Sequence, residues 1–202
     1  MRDGSTEQGR PLGARWNPGS GVDFHVWAPE RRDVAVVIED EKPLAMRRDE
    51  EGYWSLRVTD ARPGMLYRYL LDRDTDLCRA DPASRFQPYG PEGPSEIIDP
   101  SAHAWTDDEW PGIGMAGQVL YELHVGTFSE AGTWEGALGK LPHLKELGVS
   151  VIEVMPIAEF PGEFGWGYDG VYPYAPYSRY GRPDELRAFL GAAHSVGIRV
   201  VP

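Results

Sequence analysis

The residues with the most chemistry to offer lie in one stretch, residues 162–174, which read GEFGWGYDGVYPY. Seven aromatic rings fall in the 17 residues from 164 to 180: Phe164, Trp166, Tyr168, Tyr172, Tyr174, Tyr177 and Tyr180. The whole chain has only 23 in 202, so the enrichment calls for something flat to be packed or bound there. Trp and Tyr combine a broad apolar face with a polar handle. A sugar ring has matching apolar faces, and its hydroxyls would find acceptors in Glu159, Glu163 and Asp169. Trp166 and Tyr168 stand between Gly165, Gly167 and Gly170 and are the rings best placed to meet a ligand. Tyr172, Tyr174, Tyr177 and Tyr180 read instead as rings that pack the loop onto its domain.

Other chemistries find little support. His124, in ELHVG on a strand, reads as a satisfied core histidine, and His143 and His194 fall on helices as surface or packing residues. No histidine, cysteine or carboxylate spacing matches a metal site. There is no GxSxG elbow, no GxxxxGK[ST] phosphate loop and no GxGxxG fingerprint, so no cofactor is expected. Carboxylates abound, but none pairs with another as acid and base on spacing alone. The net charge of −12 argues against nucleic acid, whose phosphates need a basic stripe, and against anionic membrane surfaces. No run of 18 apolar residues could span a bilayer. The N-terminal MRDGSTEQGRPLG has no apolar core of a secretory signal. The single cysteine, Cys78, can form no internal disulfide and reads as an inert thiol. These features point to the cytoplasm.

The elements around the aromatic stretch follow two patterns. Residues 1–15 are polar and read as a disordered tail. From 16 to 100 short alternating runs dominate: VDFHVWA, DVAVVIE, GYWSLRV and MLYRYLL. In the first, Val22, Phe24 and Val26 share one face. Turn signals separate the runs, as in an antiparallel β-sandwich. Residues 79–112 are dense in Pro, Gly, Asp and Ser and read as ordered connecting chain, and residues 101–117 are taken as the connector between the two halves. From 118, QVLYELHVGTF predicts a buried strand ending at Gly126. TWEGALGKLPHLKELG predicts a helix with Thr133 as its N-cap and a kink or restart at Pro142. VSVIEVMPI predicts a parallel strand buried on both faces. RPDELRAFLGAAHSVG predicts a second helix, and IRVV a third strand. This β-α-β-α-β order begins either a doubly wound sheet or a (β/α)8 barrel. It falls well short of the roughly 250 residues of a full barrel, so a truncated chain is expected.

These motifs resemble the α-amylase clan of glycoside hydrolases. YELHVGTFSEAGTW is similar to its first barrel strand and turn, and the stretch from GVSVIEVMPI to GIRVV to the β2-α2-β3 unit that follows. FHVWAPERRDVAVVIE, GYWSLRV and PGMLYRY resemble the immunoglobulin-like sandwich these enzymes carry. Within the clan, DPASRFQPYGPEGPSEIIDP and WGYDGVYPYAP are most like the malto-oligosyltrehalose trehalohydrolases. The likeness runs from about residue 12 to 201. It implies an immunoglobulin-like β-sandwich followed by the first β-α-β-α-β part of a (β/α)8 TIM barrel (residues 118–202).

The resemblance also implies a function. It makes Tyr168 the ring that stacks on the sugar before the scissile bond, with Trp166 and Asp169 as neighbours in substrate binding. The family cleaves the α-1,4 bond joining a malto-oligosaccharide to trehalose, by a retaining mechanism between two carboxyl groups. The family motif Asp-x-x-x-Asn-His would directly follow the third strand, and this chain ends at Pro202. No catalytic residue is therefore expected within it, and it is expected to be inactive alone. A maltooligosyl trehalose or related α-glucan is the expected partner; the oligomeric state is open. A fragment of a glucan branching enzyme and a non-catalytic glucan-binding module, stacking through Trp27, Tyr53 or Trp54, are the alternatives.

Overall fold

The computed structural model describes residues 11–107, 110–114 and 116–201. Among these residues, alternation of apolar and polar side chains produces nine strands in the first half. They are β1 (Gly13–Asn17), β2 (Gly21–Trp27), β3 (Val34–Ile38), β4 (Leu44–Ala45), β5 (Arg47–Arg48), β6 (Tyr53–Val58), β7 (Leu66–Leu71), β8 (Cys78–Arg79) and β9 (Ser95–Glu96). One antiparallel sheet runs β1-β2-β6-β5; the other runs β4-β3-β7-β8, with β9 also paired to β7. Val22, Phe24 and Val26 do share the buried face of β2. They meet Val34, Val36, Tyr67 and Tyr69 of the facing sheet in one core, and the Phe24 and Tyr67 rings touch edge to face at 5.1 Å. The frayed tail expected as far as residue 15 ends sooner, because Gly13–Asn17 pairs along its length with β2. Residues 1–10 lie outside the described residues.

The proline-rich segment after β8 is ordered by a buried polar network. Asp81 accepts hydrogen bonds from the hydroxyls of Tyr67 (2.7 Å) and Tyr69 (3.2 Å) and from the Ala83 N–H (2.8 Å). Ser84 and Ser95 both donate to the Gln87 amide oxygen. Burial pushes the Asp81 carboxyl above its usual range, and these donors only partly offset it. Trp110 stacks on His194 at 5.0 Å.

Among the described residues the second half has five strands and four α-helices: β10 (Leu120–Leu123), α1 (Val125–Phe128), α2 (Trp134–Leu138), α3 (Leu141–Glu146), β11 (Val151–Val154), β12 (Ala158–Glu159), β13 (Tyr172–Pro176), α4 (Pro183–Ser195) and β14 (Arg199–Val201). Three of the strands form a parallel sheet in the order β10-β11-β14. Its helix-covered face holds Leu123, Ile152, Val154 and Ile198 against Trp134, Leu144 and Phe189. Leu120, Glu122, Glu153 and Val201 are exposed, so β11 is not buried on both faces throughout. The predicted first helix is two. Thr133 caps α2, accepting from the Gly136 N–H, and Pro142 sits in the first turn of α3, where a missing N–H costs nothing. The first strand stops at Leu123 rather than Gly126. Leu123 pairs with Val154, the last residue of β11, so the carbonyls beyond it have no neighbouring strand to meet. The chain turns into α1 instead, with the Phe128 N–H bonded to the His124 carbonyl at 3.0 Å.

The two halves meet at an ion pair whose carboxylate is buried. Arg182, at the start of α4, grips both oxygens of the Glu96 carboxylate, and its guanidinium lies 4.9 Å from the centre of the Phe86 ring. Tyr172 adds a bond from its hydroxyl to the Pro91 carbonyl at 3.2 Å.

Candidate functional site

In a parallel sheet with helical crossovers, ligand sites form beyond the C-terminal ends of the strands. The aromatic stretch lies there. It leaves β11 at Met155, pairs as the short hairpin β12–β13, and projects residues 160–171 between those strands. Gly165 and Gly167 are steric requirements. Gly167 is buried at φ +85°, and a Cβ on it would lie 1.7 Å from the Pro156 carbonyl oxygen. A Cβ on Gly165 would meet the Phe160 ring at 2.8 Å. With the backbone pressed inward, the flanking rings turn outward. Trp166 is 72% exposed, Tyr168 71% and Phe164 92%.

Phe164 and Trp166 border a cavity of about 570 Å³. His124 and Met155, the first residues after β10 and β11, line it together with Thr127, Tyr180, Trp166 and Arg179. His124 Nε2 is 2.8 Å from the Gly165 carbonyl oxygen and 2.9 Å from the Tyr180 hydroxyl, and Nδ1 is 3.2 Å from the Thr127 hydroxyl. A carbonyl oxygen can only accept, so Nε2 carries the proton and Nδ1 can accept from Thr127. Burial raises the Tyr180 phenol to about 12, which keeps it a neutral hydrogen-bonding group.

Of the sequence candidates, Trp166 reaches the cavity wall. Tyr168 and Asp169 are exposed on the far side of Gly167 and do not line it. Tyr177 and Tyr180 are buried and pack the loop as expected: Tyr177 stacks on Phe160 at 4.1 Å and donates its hydroxyl to the Gly162 carbonyl. Tyr174, expected to pack, is 66% exposed. Glu159 is withdrawn from solvent, whereas Glu163 stays exposed on the cavity wall with one oxygen paired. Glu159 is buried and accepts from the Ser178 N–H at 2.7 Å, its carboxyl pushed up by burial; Glu163 pairs with Arg179 at 2.7 Å. His124, read as a core residue, is half-buried and stands on the cavity wall. Its position one residue past the end of the first parallel strand was the available signal. Among the described residues no group of three or more His, Cys, Asp or Glu is placed to hold a metal ion, and no helix is long and apolar enough to cross a membrane.

Residues 11–90 match the family model of carbohydrate-binding module 48 (isoamylase N-terminal domain). Residues 101–202 match that of the alpha amylase catalytic domain. The chain belongs to the α-amylase family. It is 45% identical over 181 residues to a malto-oligosyltrehalose trehalohydrolase of Saccharolobus solfataricus, covering 90% of this chain and 32% of the relative. It is 44% identical over 190 residues to one of Deinococcus radiodurans, covering 94% and 31%. A crystal structure from Salmonella typhimurium, provisionally named an alpha amylase, superposes with a TM-score of 0.90 at 43% identity, covering 94% of this chain and 32% of that one. The resemblance read from the motifs therefore stands. The chain spans about a third of the length of the curated relatives it matches.

Proposed function

We propose that this chain forms the sandwich and the first part of the barrel of a trehalose-releasing glycosidase, and that its aromatic loop supplies the wall on which the α-glucan lies. On this reading Tyr168 and Trp166 stack on sugar faces, Asp169 accepts a sugar hydroxyl, and the substrate is a maltooligosyl trehalose. The observation that carries it is the pair of exposed rings held out by Gly167 at the C-terminal end of the parallel sheet. Glu159 is buried and bonded to the Ser178 N–H, and Glu163, on the cavity wall, is paired with Arg179. The chain is therefore proposed to bind and orient its substrate and not to cleave it. The retaining mechanism of such enzymes needs two carboxyl groups roughly 5 Å apart, and the resemblance assigns none of this chain's residues to that pair.

The test is a titration of the chain with maltotriosyl trehalose, followed by tryptophan fluorescence, with cellotriose as control. The α-glucan should bind and the β-linked sugar should not. Covering one ring contributes about 1.4 kcal/mol at ~25 cal/mol per Å², which is about tenfold in affinity. Trp166→Ala and Tyr168→Ala should each weaken binding about tenfold, and no trehalose should appear on incubation. Equal binding by both variants would remove the loop from the substrate site; turnover by the chain would overturn the non-cleaving role.

A second reading, a glucan-binding sandwich, has one observation in its favour. Of its three candidate rings, Trp54 is buried, whereas Trp27 is 56% exposed with its indole N–H tied to the Glu51 carbonyl at 3.2 Å. Trp27→Ala in the same titration separates the two readings.

A further inference from the structure

We infer that His124 is a positioning residue that sets the orientation of Trp166 from across the cavity. The inference rests on the reading that the aromatic loop binds α-glucan. The Gly165 carbonyl belongs to the peptide that leads directly into Trp166, so whatever holds that carbonyl fixes the plane from which the indole projects. His124 Nε2–H holds it at 2.8 Å. The imidazole is itself fixed at three points: the Thr127 hydroxyl at Nδ1, the Tyr180 hydroxyl beside Nε2, and the Tyr180 ring, which meets it edge-on at 88°. It is also rooted in the sheet, because His124 follows Leu123 of β10.

The other side of the Gly165 backbone rests on the Phe160 ring. Phe160 fixes the depth of the loop but, having no polar atom, cannot choose the rotation of the peptide. That choice falls to the histidine. Trp166, at 72% exposure, has too few neighbours of its own to lock its ring. An unfixed platform would lose conformational freedom on binding sugar, at a cost to affinity of the kind that pre-organisation removes.

The experiment uses the intact 202-residue chain with 5-fluorotryptophan incorporated. The Trp166 resonance is assigned by its loss in Trp166→Phe. His124→Leu removes the donor and His124→Gln keeps an N–H at similar reach. His124→Leu should shift and broaden the Trp166 resonance and weaken maltotriosyl trehalose binding about tenfold, with the thermal midpoint little changed. His124→Gln should restore the resonance and bring affinity back to within about threefold. A histidine that merely fills space would show the opposite order, because leucine packs better than glutamine. An unchanged Trp166 resonance in His124→Leu overturns the positioning role whether or not glucan binds. If wild-type chain fails to bind glucan while the resonance responds as stated, the positioning role stands and the proposed function falls.

Discussion

Arg182→Met is expected to destabilise the chain by about 3–5 kcal/mol, the penalty for leaving a buried carboxylate without its partner. Glu96 is only 7% exposed, and its side chain is bonded to Arg182 alone among the described residues. Methionine preserves the contact with Phe86 and removes only the charge and its donors. At about 2–4 °C per kcal/mol for a chain of this size, the thermal midpoint should fall by on the order of 10 °C. The converse change is milder. In Glu96→Gln the guanidinium, half exposed at 50%, can turn to water, so the loss should be about 1–3 kcal/mol. The double variant Arg182→Met/Glu96→Gln should recover much of the difference, since no buried charge remains. Thermal scans of the three variants check this order; an Arg182→Met midpoint within about 2 °C of wild type, on the same scale, would mean the pair does not hold the halves together.

Gly167→Ala should release the aromatic loop. Two costs combine. A non-glycine residue at positive φ loses about 1–2 kcal/mol, and the new Cβ would stand 1.7 Å from a backbone oxygen that no side-chain rotation can clear. The loop must lift from Pro156, taking Trp166 and Tyr168 with it. Affinity for maltotriosyl trehalose should fall by roughly tenfold to a hundredfold, the effect of one or two lost stacking faces. Limited proteolysis should cut between Phe164 and Asp169 in the variant and spare the wild type. Gly162→Ala is the control, because Gly162 has positive φ (+103°) but nothing within 4 Å of its Cβ position. It carries the strain without the collision. If the two variants bind and resist protease equally, the close approach to Pro156 has no part in presenting the rings.

The coupling of sandwich to barrel bears on the site. Glu96 belongs to the β9 edge of the sandwich and Arg182 to the start of α4, two residues after Tyr180. Tyr180 in turn supports His124. The edge of the sandwich is thus tied through Arg182 to the segment carrying Tyr180, a residue of the cavity wall.

Much of this was legible in the residue order. Period-two alternation predicts β2, β3, β6 and β7, and the apolar periodicity with Thr133, Pro142 and Pro183 predicts the helices and the break between α2 and α3, because these are properties of neighbours along the chain. The enrichment of rings between glycines marked the loop for the same reason: local geometry makes glycine necessary where the backbone must dock. Which ring faces what was not local. Tyr174 and Tyr177 are three residues apart, yet one is exposed and the other stacks on Phe160, because the hairpin turns only one of them toward the core. Glu159 resembled a free acceptor until folding buried it and brought the Ser178 N–H to it. His124 resembled a core histidine until the loop, 41 residues on, delivered a carbonyl to its ring. Sequence by itself determined the elements and the material of the site; only the tertiary structure decided the partners, since a hydrogen bond between distant residues depends on where the whole chain puts them.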